Sequence, residues 1–399
     1  MNLDTFEKGR GFPPFFVQPF PGVRVQWGMR WLSILLSTLL LGALGCGGGG
    51  TSTPPAPAGD PWAAVDAAIL ANQGQFSGGL TVEVVRPGGV VHSFSAGGFS
   101  NATPVLVASA SKWVSATTIL RLVDQGVLSL DTPTSALLTD AGGAPWAGNL
   151  GNAKLRHLLS FTTGISGDVP ASEDNALTLD GAVKVIYADQ ASTAMAPGSY
   201  YHYGSSHLRI AARMAEVATG KTWAQIVREQ LGTPLGWPVW ATFGGPNYNP
   251  AGNLTIDGQS YVKFVNLQLR KGVFWSQRLL PEALIDAQRA DAYGPTTTLA
   301  YSPYFTQQGK TYHYGFGNWL ETAGGGAPSG ADPVIRWSST GTFGWAPWVA
   351  GDGAYGAVIM TRQPLQGMTE ASEALKATLD PLIRQALAAG GDTVVRPLP

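Results

Sequence analysis

The stretch Val107-Ala108-Ser109-Ala110-Ser111-Lys112-Trp113-Val114 decides how the rest of this chain is read. It joins a β-rich hairpin region to a helix-like run over residues 112–125, so Ser109 falls in the first turn, with Lys112 three residues on and on the same face. A serine hydroxyl is a weak nucleophile at neutral pH until a base takes its proton, and a lysine can be that base only once it has lost its own. Burial brings this about: lowering a lysine from ~10.4 to near 7 costs roughly 4 kcal/mol, within the reach of desolvation. The helix N-terminus adds positive partial charge that favours the neutral amine and steadies developing anions. Ser-x-x-Lys alone is equally what an N-capping serine and a solvated lysine produce. The surrounding sequence therefore carries the weight.

Two further stretches align with it. Pro197-Gly198-Ser199-Tyr200-Tyr201-His202-Tyr203-Gly204-Ser205 runs into a helix beginning near residue 208. A tyrosine held beside the Ser–Lys pair, its phenol acidified by cationic neighbours, can act as base and then acid. Later, Trp337-Ser338-Ser339-Thr340-Gly341-Thr342-Phe343-Gly344 sets a hydroxyl-rich strand before glycines that permit close backbone approach. Such a strand can supply a main-chain N–H to an oxyanion hole, with the N–H of Ser109 as its partner. Trp345 and Trp348 just beyond it either wall an apolar substrate pocket or pack the sheet.

Around these stretches the hydrophobic period changes twice. Residues 61–73 read as a helix, and 80–85 with 90–94 as a hairpin about Arg86-Pro87-Gly88-Gly89. From 131 to about 295 the pattern is mainly helical, with candidates at 155–160, 180–190, 208–218, 223–231, 259–270 and 281–289. Period two returns at 314–320, 334–339, 344–350 and 355–361, and 369–389 closes as an amphipathic helix. Strands at both ends with helices between imply an α+β fold: an antiparallel sheet flanked by helices and carrying an inserted all-helical lobe.

Composition narrows the function. Net charge is −1 and only 13% of the 399 residues are charged, so no basic patch points to nucleic acid. Cys46 is the sole cysteine, which rules out an intrachain disulfide or a multi-thiolate zinc site, and no His-Glu-x-x-His occurs among His92, His157, His202, His207 and His313. Neither metal nor cofactor is expected.

The N-terminus reads separately. Residues 1–28 are irregular and stand upstream of a second candidate start, Met29. Met29-Arg30, the apolar run to Leu44 and Gly45-Cys46-Gly47 read as an export signal over 29–46, shorter than the ~20 residues that cross a bilayer. Ala43-Leu44-Gly45-Cys46 resembles a lipoprotein cleavage box, with Cys46 as the lipidated residue; an ordinary secretory signal is the other reading. Residues 47–60, rich in Gly, Thr and Pro, form a spacer. The expectation is an exported, periplasmic or cell-envelope protein tethered to a membrane surface by lipid.

Taken together, Ser109/Lys112, Tyr203, Ser339-Thr340-Gly341 and the framework stretches Leu155-Arg156-His157-Leu158-Leu159-Ser160-Phe161-Thr162-Thr163-Gly164, Ala251-Gly252-Asn253-Leu254 and Arg278-Leu279-Leu280-Pro281-Glu282 resemble the serine β-lactamase and penicillin-binding-protein superfamily. The likeness is to its class C-like branch of esterases and amidases. It runs from about 61 to 389 and implies a catalytic domain over 61–399. It implies Ser109 as the acylated nucleophile, Lys112 as its base, Tyr203 as second proton carrier, and the N–H groups of Ser109 and Thr342 as the oxyanion hole. Ser205, Ser339, Thr340, Gly341 and Trp345 would line the substrate. Two positions depart from the pattern. Ser205 replaces the asparagine of Tyr-x-Asn, and Ser339 replaces the cation of Lys-Thr-Gly, leaving Arg336 or Arg362 to compensate. Losing that cation forfeits ~1.5–3 kcal/mol toward a carboxylate-bearing substrate. The resemblance thus implies a serine hydrolase on an ester or small amide. A β-lactamase or D,D-peptidase, or a catalytically silent binding protein of the same fold, are the alternatives.

Overall fold

Strand β1 (Leu80–Arg86) lies in the middle of an eight-stranded antiparallel sheet, although it is the first strand made. Its hairpin partner is β2 (Gly89–Ala96), while its other neighbour comes from the far end of the chain. The remaining strands are β3 (His313–Tyr314), β4 (Trp319–Thr322), β5 (Val334–Ser338), β6 (Ala346–Ala350), β7 (Gly356–Thr361) and β8 (Arg396–Pro397). Their order across the sheet is β3-β4-β5-β6-β7-β1-β2-β8. This computed structural model describes residues 59–362 and 369–398, so the extension, signal, Cys46 and nearly all the spacer lie outside the described residues.

Side chains alternate across the sheet and both faces are covered, which is why its central strands are buried throughout. Leu80, Val82, Val84, Trp348 and Ile359 pack with helices α1 (Ala63–Asn72) and α2, the latter being Thr369–Ala388 in the closing position. Val85, Val349, Val358 and Met360 join the larger core on the opposite face. That core also holds the helix Ser111–Asp124, which follows Ser109, and the helices Ser206–Thr219 and Gly258–Leu269.

The helical segment between the two parts of the sheet holds Leu155–Leu159, Leu179–Gln190, Ser206–Thr219, Trp223–Val227, Gly258–Leu269 and Glu282–Arg289, close to the expected ranges. Short strands lie there too, among them Tyr200–His202, which pairs in parallel with Thr298–Tyr301. The run expected as one strand over 314–320 is instead β3 and β4 joined by a tight turn. A Cβ at Gly317 would sit 2.6 Å from the carbonyl oxygen of Lys112, so the turn rests directly against the helix Ser111–Asp124 and its glycine, at φ +76, cannot be replaced cheaply. Strand β8 is too short to leave a periodic signal; Arg396 anchors it by pairing with buried Glu83 at 2.6 Å.

Candidate active site

Ser109 sits in a 3₁₀ turn, Ala108–Ala110, immediately ahead of the helix Ser111–Asp124. Ala108 takes φ 47, a left-handed conformation that costs an alanine about 1–2 kcal/mol and marks a turn fixed by its surroundings. Those surroundings include Gly341, where a Cβ would stand 2.3 Å from the carbonyl oxygen of Val107. The third stretch can press this close to the Ser109 turn only because residue 341 is glycine. Ser339 ties the two further, its hydroxyl donating to the Ser109 carbonyl at 2.9 Å.

Lys112 projects from the first turn of its helix and is 3% exposed. Its Nζ lies 2.9 Å from Ser109 Oγ and donates to the carbonyl of Ala251, also at 2.9 Å. The turn at 250–254 is held in place by the same helix, since Ser115 donates to the Pro250 carbonyl and the Leu254 N–H to Ser111 Oγ. Burial pulls the amine down to about 8, against the opposing pull of Asp168 and Glu173.

Tyr203 completes the group. Lys112 Nζ lies 4.7 Å from its ring centroid, and the ring stacks on Trp319 at 5.2 Å. Its N–H donates to the Tyr301 carbonyl, so the parallel strand pair sets its position. Burial pushes the phenol above its ordinary value, a hydrogen bond with Ser109 opposes this, and Asp168 and Tyr301 add to it. The acidified phenol expected from the sequence is therefore corrected: loss of water around the ring outweighs any help from the amine.

Ser109, Tyr203, Thr340 and Thr342 line one cleft of about 190 Å³ with Tyr301, Pro303, Tyr304, Gln307, Trp319 and Thr369. None of these is charged. A larger hollow of about 590 Å³, lined by Pro104, Val105, Leu106, Thr255, Phe343, Thr361 and Arg362, contains neither Ser109 nor Lys112. Arg362 thus belongs to that hollow, and Arg336 is spent in pairs with Glu321 at 2.9 Å and Asp380 at 2.7 Å. Neither supplies the missing cation to the cleft.

The Beta-lactamase family model matches residues 69–379. The chain belongs to the β-lactamase family. Its fold is that of a family of serine hydrolases. Penicillin-binding protein 4 of Amycolatopsis lactamdurans is 31% identical over 157 residues, 37% of this chain; the chain spans 40% of that relative's length. A protein of Bacteroides dorei DSM 17855 assigned as a β-lactamase has a TM-score of 0.68 and 26% identity over 81% of this chain and 99% of its own. EstCE1, a hydrolase with promiscuous acyltransferase activity, shares the fold at a TM-score of 0.62 and 17% identity, over 80% of this chain and 98% of its own.

Against the β-lactamase family pattern, several positions are corrected. Trp345 is fully buried against Tyr261, not in the cleft, because the strand leaving the third motif turns it into the core. Ser205 does not line the cleft; its N–H donates to Asp168 Oδ1 at 2.6 Å. Ser339, 2% exposed, faces the Ser109 backbone, and Gly341 serves by close approach. Asp168 was not signalled by any motif. Its Oδ1 also accepts from Ser206 N at 3.0 Å and Ser206 Oγ at 3.1 Å, at the start of the helix Ser206–Thr219. Gly204 admits it, since a Cβ there would meet that oxygen at 2.6 Å. A glycine between Tyr203 and Ser205 was the available clue.

His207 is structural in its contacts. His207 Nε2 donates to the His202 carbonyl at 2.8 Å and Nδ1 lies 2.9 Å from Thr163 Oγ1. Burial holds it down to about 4. Among the described residues no cluster could hold a metal ion, and no helix is long and apolar enough to cross a membrane.

Proposed function

We propose that this protein is a serine hydrolase that forms an acyl-enzyme at Ser109 on a small ester carrying no carboxylate beside the scissile bond. The observation that carries the reading is the buried Lys112 amine 2.9 Å from Ser109 Oγ. An amine held near 8 keeps a working fraction neutral at physiological pH and takes the serine proton as the carbonyl is attacked. The main-chain N–H groups of Ser109 and Thr342 receive the oxyanion. Tyr203, which keeps its proton, then donates it to the leaving alkoxide and regains one from the Lys112 ammonium. Water then attacks the acyl-enzyme, giving a proton to Lys112, whose ammonium returns it to Ser109 Oγ as the acyl–oxygen bond breaks and the acid leaves.

The cleft supports a small, uncharged substrate. Its volume of about 190 Å³ is below the ~300–1,000 Å³ of sites for drug-sized ligands, and its walls are aromatic and hydroxylic. A β-lactam or a D-alanyl peptide brings a carboxylate for which no cation is provided among the described residues lining it. EstCE1, with its hydrolase and acyltransferase activities, is a neighbour consistent with ester chemistry. The test is labelling by a fluorophosphonate together with hydrolysis of 4-nitrophenyl butyrate. Both are expected to vanish in Ser109→Ala. Labelling that survives in this variant, or a wild type inert to both reagents, refutes the reading.

Export and attachment to the cell envelope through a lipid on Cys46 are part of the same proposal. Incorporation of labelled palmitate that persists in Cys46→Ser would refute the anchor.

A further inference from the structure

We infer that a hollow bounded by Arg289 and Trp337 binds a small monocarboxylate with an apolar or aromatic body, at a site separate from the Ser109 cleft and independent of the hydrolase reading.

The buried cations of the protein are almost all matched by carboxylates. Among the described residues, Arg209 pairs with Glu173, Arg336 with Glu321 and Asp380, and Lys376 with Glu321 and Glu373. Two further buried cations, Lys112 and Arg289, have no carboxylate at ion-pair distance. A buried charge without a counter-charge is costly, and such groups are ordinarily paired. Lys112 relieves the cost by giving up its proton part of the time, since burial pulls it down to about 8. Arginine has no such escape. Burial pulls Arg289 down only to about 10, so it keeps its charge at neutral pH.

Arg289 ends the helix Glu282–Arg289 and is 7% exposed. Trp337, on β5, covers one face of the guanidinium, with the ring centroid 4.5 Å from Cζ. Stacking of this kind occupies the face of the group and leaves its edge, where the N–H donors lie, for an anion. On that edge Nη2 donates to the Gln268 carbonyl, and Nε is shut away without a partner. Nη1 makes no hydrogen bond among the described residues and is not sealed from solvent. Asp286 acts on the guanidinium from beyond ion-pair distance, because Lys271 holds it at 3.2 Å.

Arg289 and Trp337 line a hollow of about 360 Å³ together with Leu269, Lys271, Asp286 and Asp352. It shares no lining residue with the Ser109 cleft. The unmatched guanidinium calls for an anion, while Leu269 and Trp337 offer apolar surface to the rest of the ligand. Asp286 and Asp352, although tied to Lys271 and Arg384, still oppose a second negative charge. A monocarboxylate therefore fits where a phosphate dianion does not.

The experiment is equilibrium dialysis of the whole protein against radiolabelled benzoate at about pH 8, with competition by its neutral isostere benzamide and by inorganic phosphate, mostly dianionic at that pH. Benzoate is expected to bind saturably, and equally in wild type and in Ser109→Ala. Benzamide lacks the charge-assisted hydrogen bond and is expected to bind about tenfold or more weakly, and phosphate more weakly than benzoate. Arg289→Met keeps the length of the side chain and removes its charge; benzoate affinity should fall about tenfold or more. Arg289→Lys, which loses the planar fork, should lose about three- to tenfold. Trp337→Leu is the second route if the Arg289 variants fail to fold, and should weaken benzoate about threefold or more. Absence of saturable benzoate binding below about 50 mM overturns the inference, the guanidinium then being completed by water alone. So does benzamide binding as well as benzoate, phosphate binding more tightly, or an Arg289→Met protein with wild-type affinity. Loss of benzoate binding in Ser109→Ala would move the ligand to the cleft and overturn it too.

Discussion

The amine of Lys112 makes a quantitative demand on the pH dependence of the reaction. Held down to about 8, roughly one amine in ten is neutral at pH 7 and roughly one in a hundred at pH 6. An unperturbed lysine near ~10.4 would offer roughly one in 2,500 at pH 7, so burial raises the population of the working base about 200-fold. If that base limits acylation, kcat/KM rises close to tenfold per pH unit below the pKa and levels off above it. The sign follows from the charge: protonation as pH falls removes the base, so activity is lost toward acid. Asp168 pulls the amine upward. In Asp168→Asn the amide oxygen can still accept from the N–H groups of Ser205 and Ser206, while the charge is gone. The rising limb should therefore move toward lower pH, with a higher rate on the acid side. The assay is initial-rate hydrolysis of 4-nitrophenyl butyrate at a pH-independent wavelength. A profile flat between about pH 5.5 and 9, or a limb that moves to higher pH in Asp168→Asn, would refute the assignment of Lys112 as base.

Three other outcomes follow from contacts already described. Gly341→Ala places a methyl 2.3 Å from the Val107 carbonyl, which must push the third stretch off the Ser109 turn; kcat/KM should fall by about 10²-fold, while far-UV circular dichroism stays that of the wild type. Lys376→Met strips the cation from between buried Glu321 and Glu373, and equilibrium urea unfolding should show a loss of roughly 3–5 kcal/mol. Trp345→Ala opens a cavity in the core beside Tyr261 and should cost about 3–5 kcal/mol, yet the ratio of kcat/KM between short and longer acyl esters should not change, because the indole is absent from the cleft.

What the sequence conveyed well was local. The turn carrying Ser109 and Lys112, the hairpin around 86–89 and the longer helices each depend on residues near in the chain, and each lies within a few positions of its expected place. The fold class was legible because apolar period two at both ends, with period 3.6 between, admits few other arrangements. What escaped was set by distant partners. The break between β3 and β4 exists because Gly317 meets the backbone of Lys112, and β8 exists because Arg396 reaches Glu83. The rise of the Tyr203 phenol reflects water excluded by Trp319, Phe161 and Tyr314, which no spacing announces. Asp168 approaches Tyr203 from another loop, so its influence on the pair is invisible until the chain is folded.

The position of β1 has a consequence for how the protein comes into being. The strand made first waits for β7, roughly seven tenths of the chain later, before its second edge is covered. Closing so long a loop is slow compared with forming local helices. During synthesis the middle helices can gather around Ser109, Lys112 and Tyr203 while the wall bearing Thr340 and Thr342 has yet to be made. On the proposed reading, chemistry waits for that wall to dock, and a chain cut short before β5 would keep Ser109, Lys112 and Tyr203, lack Thr342 and be inert.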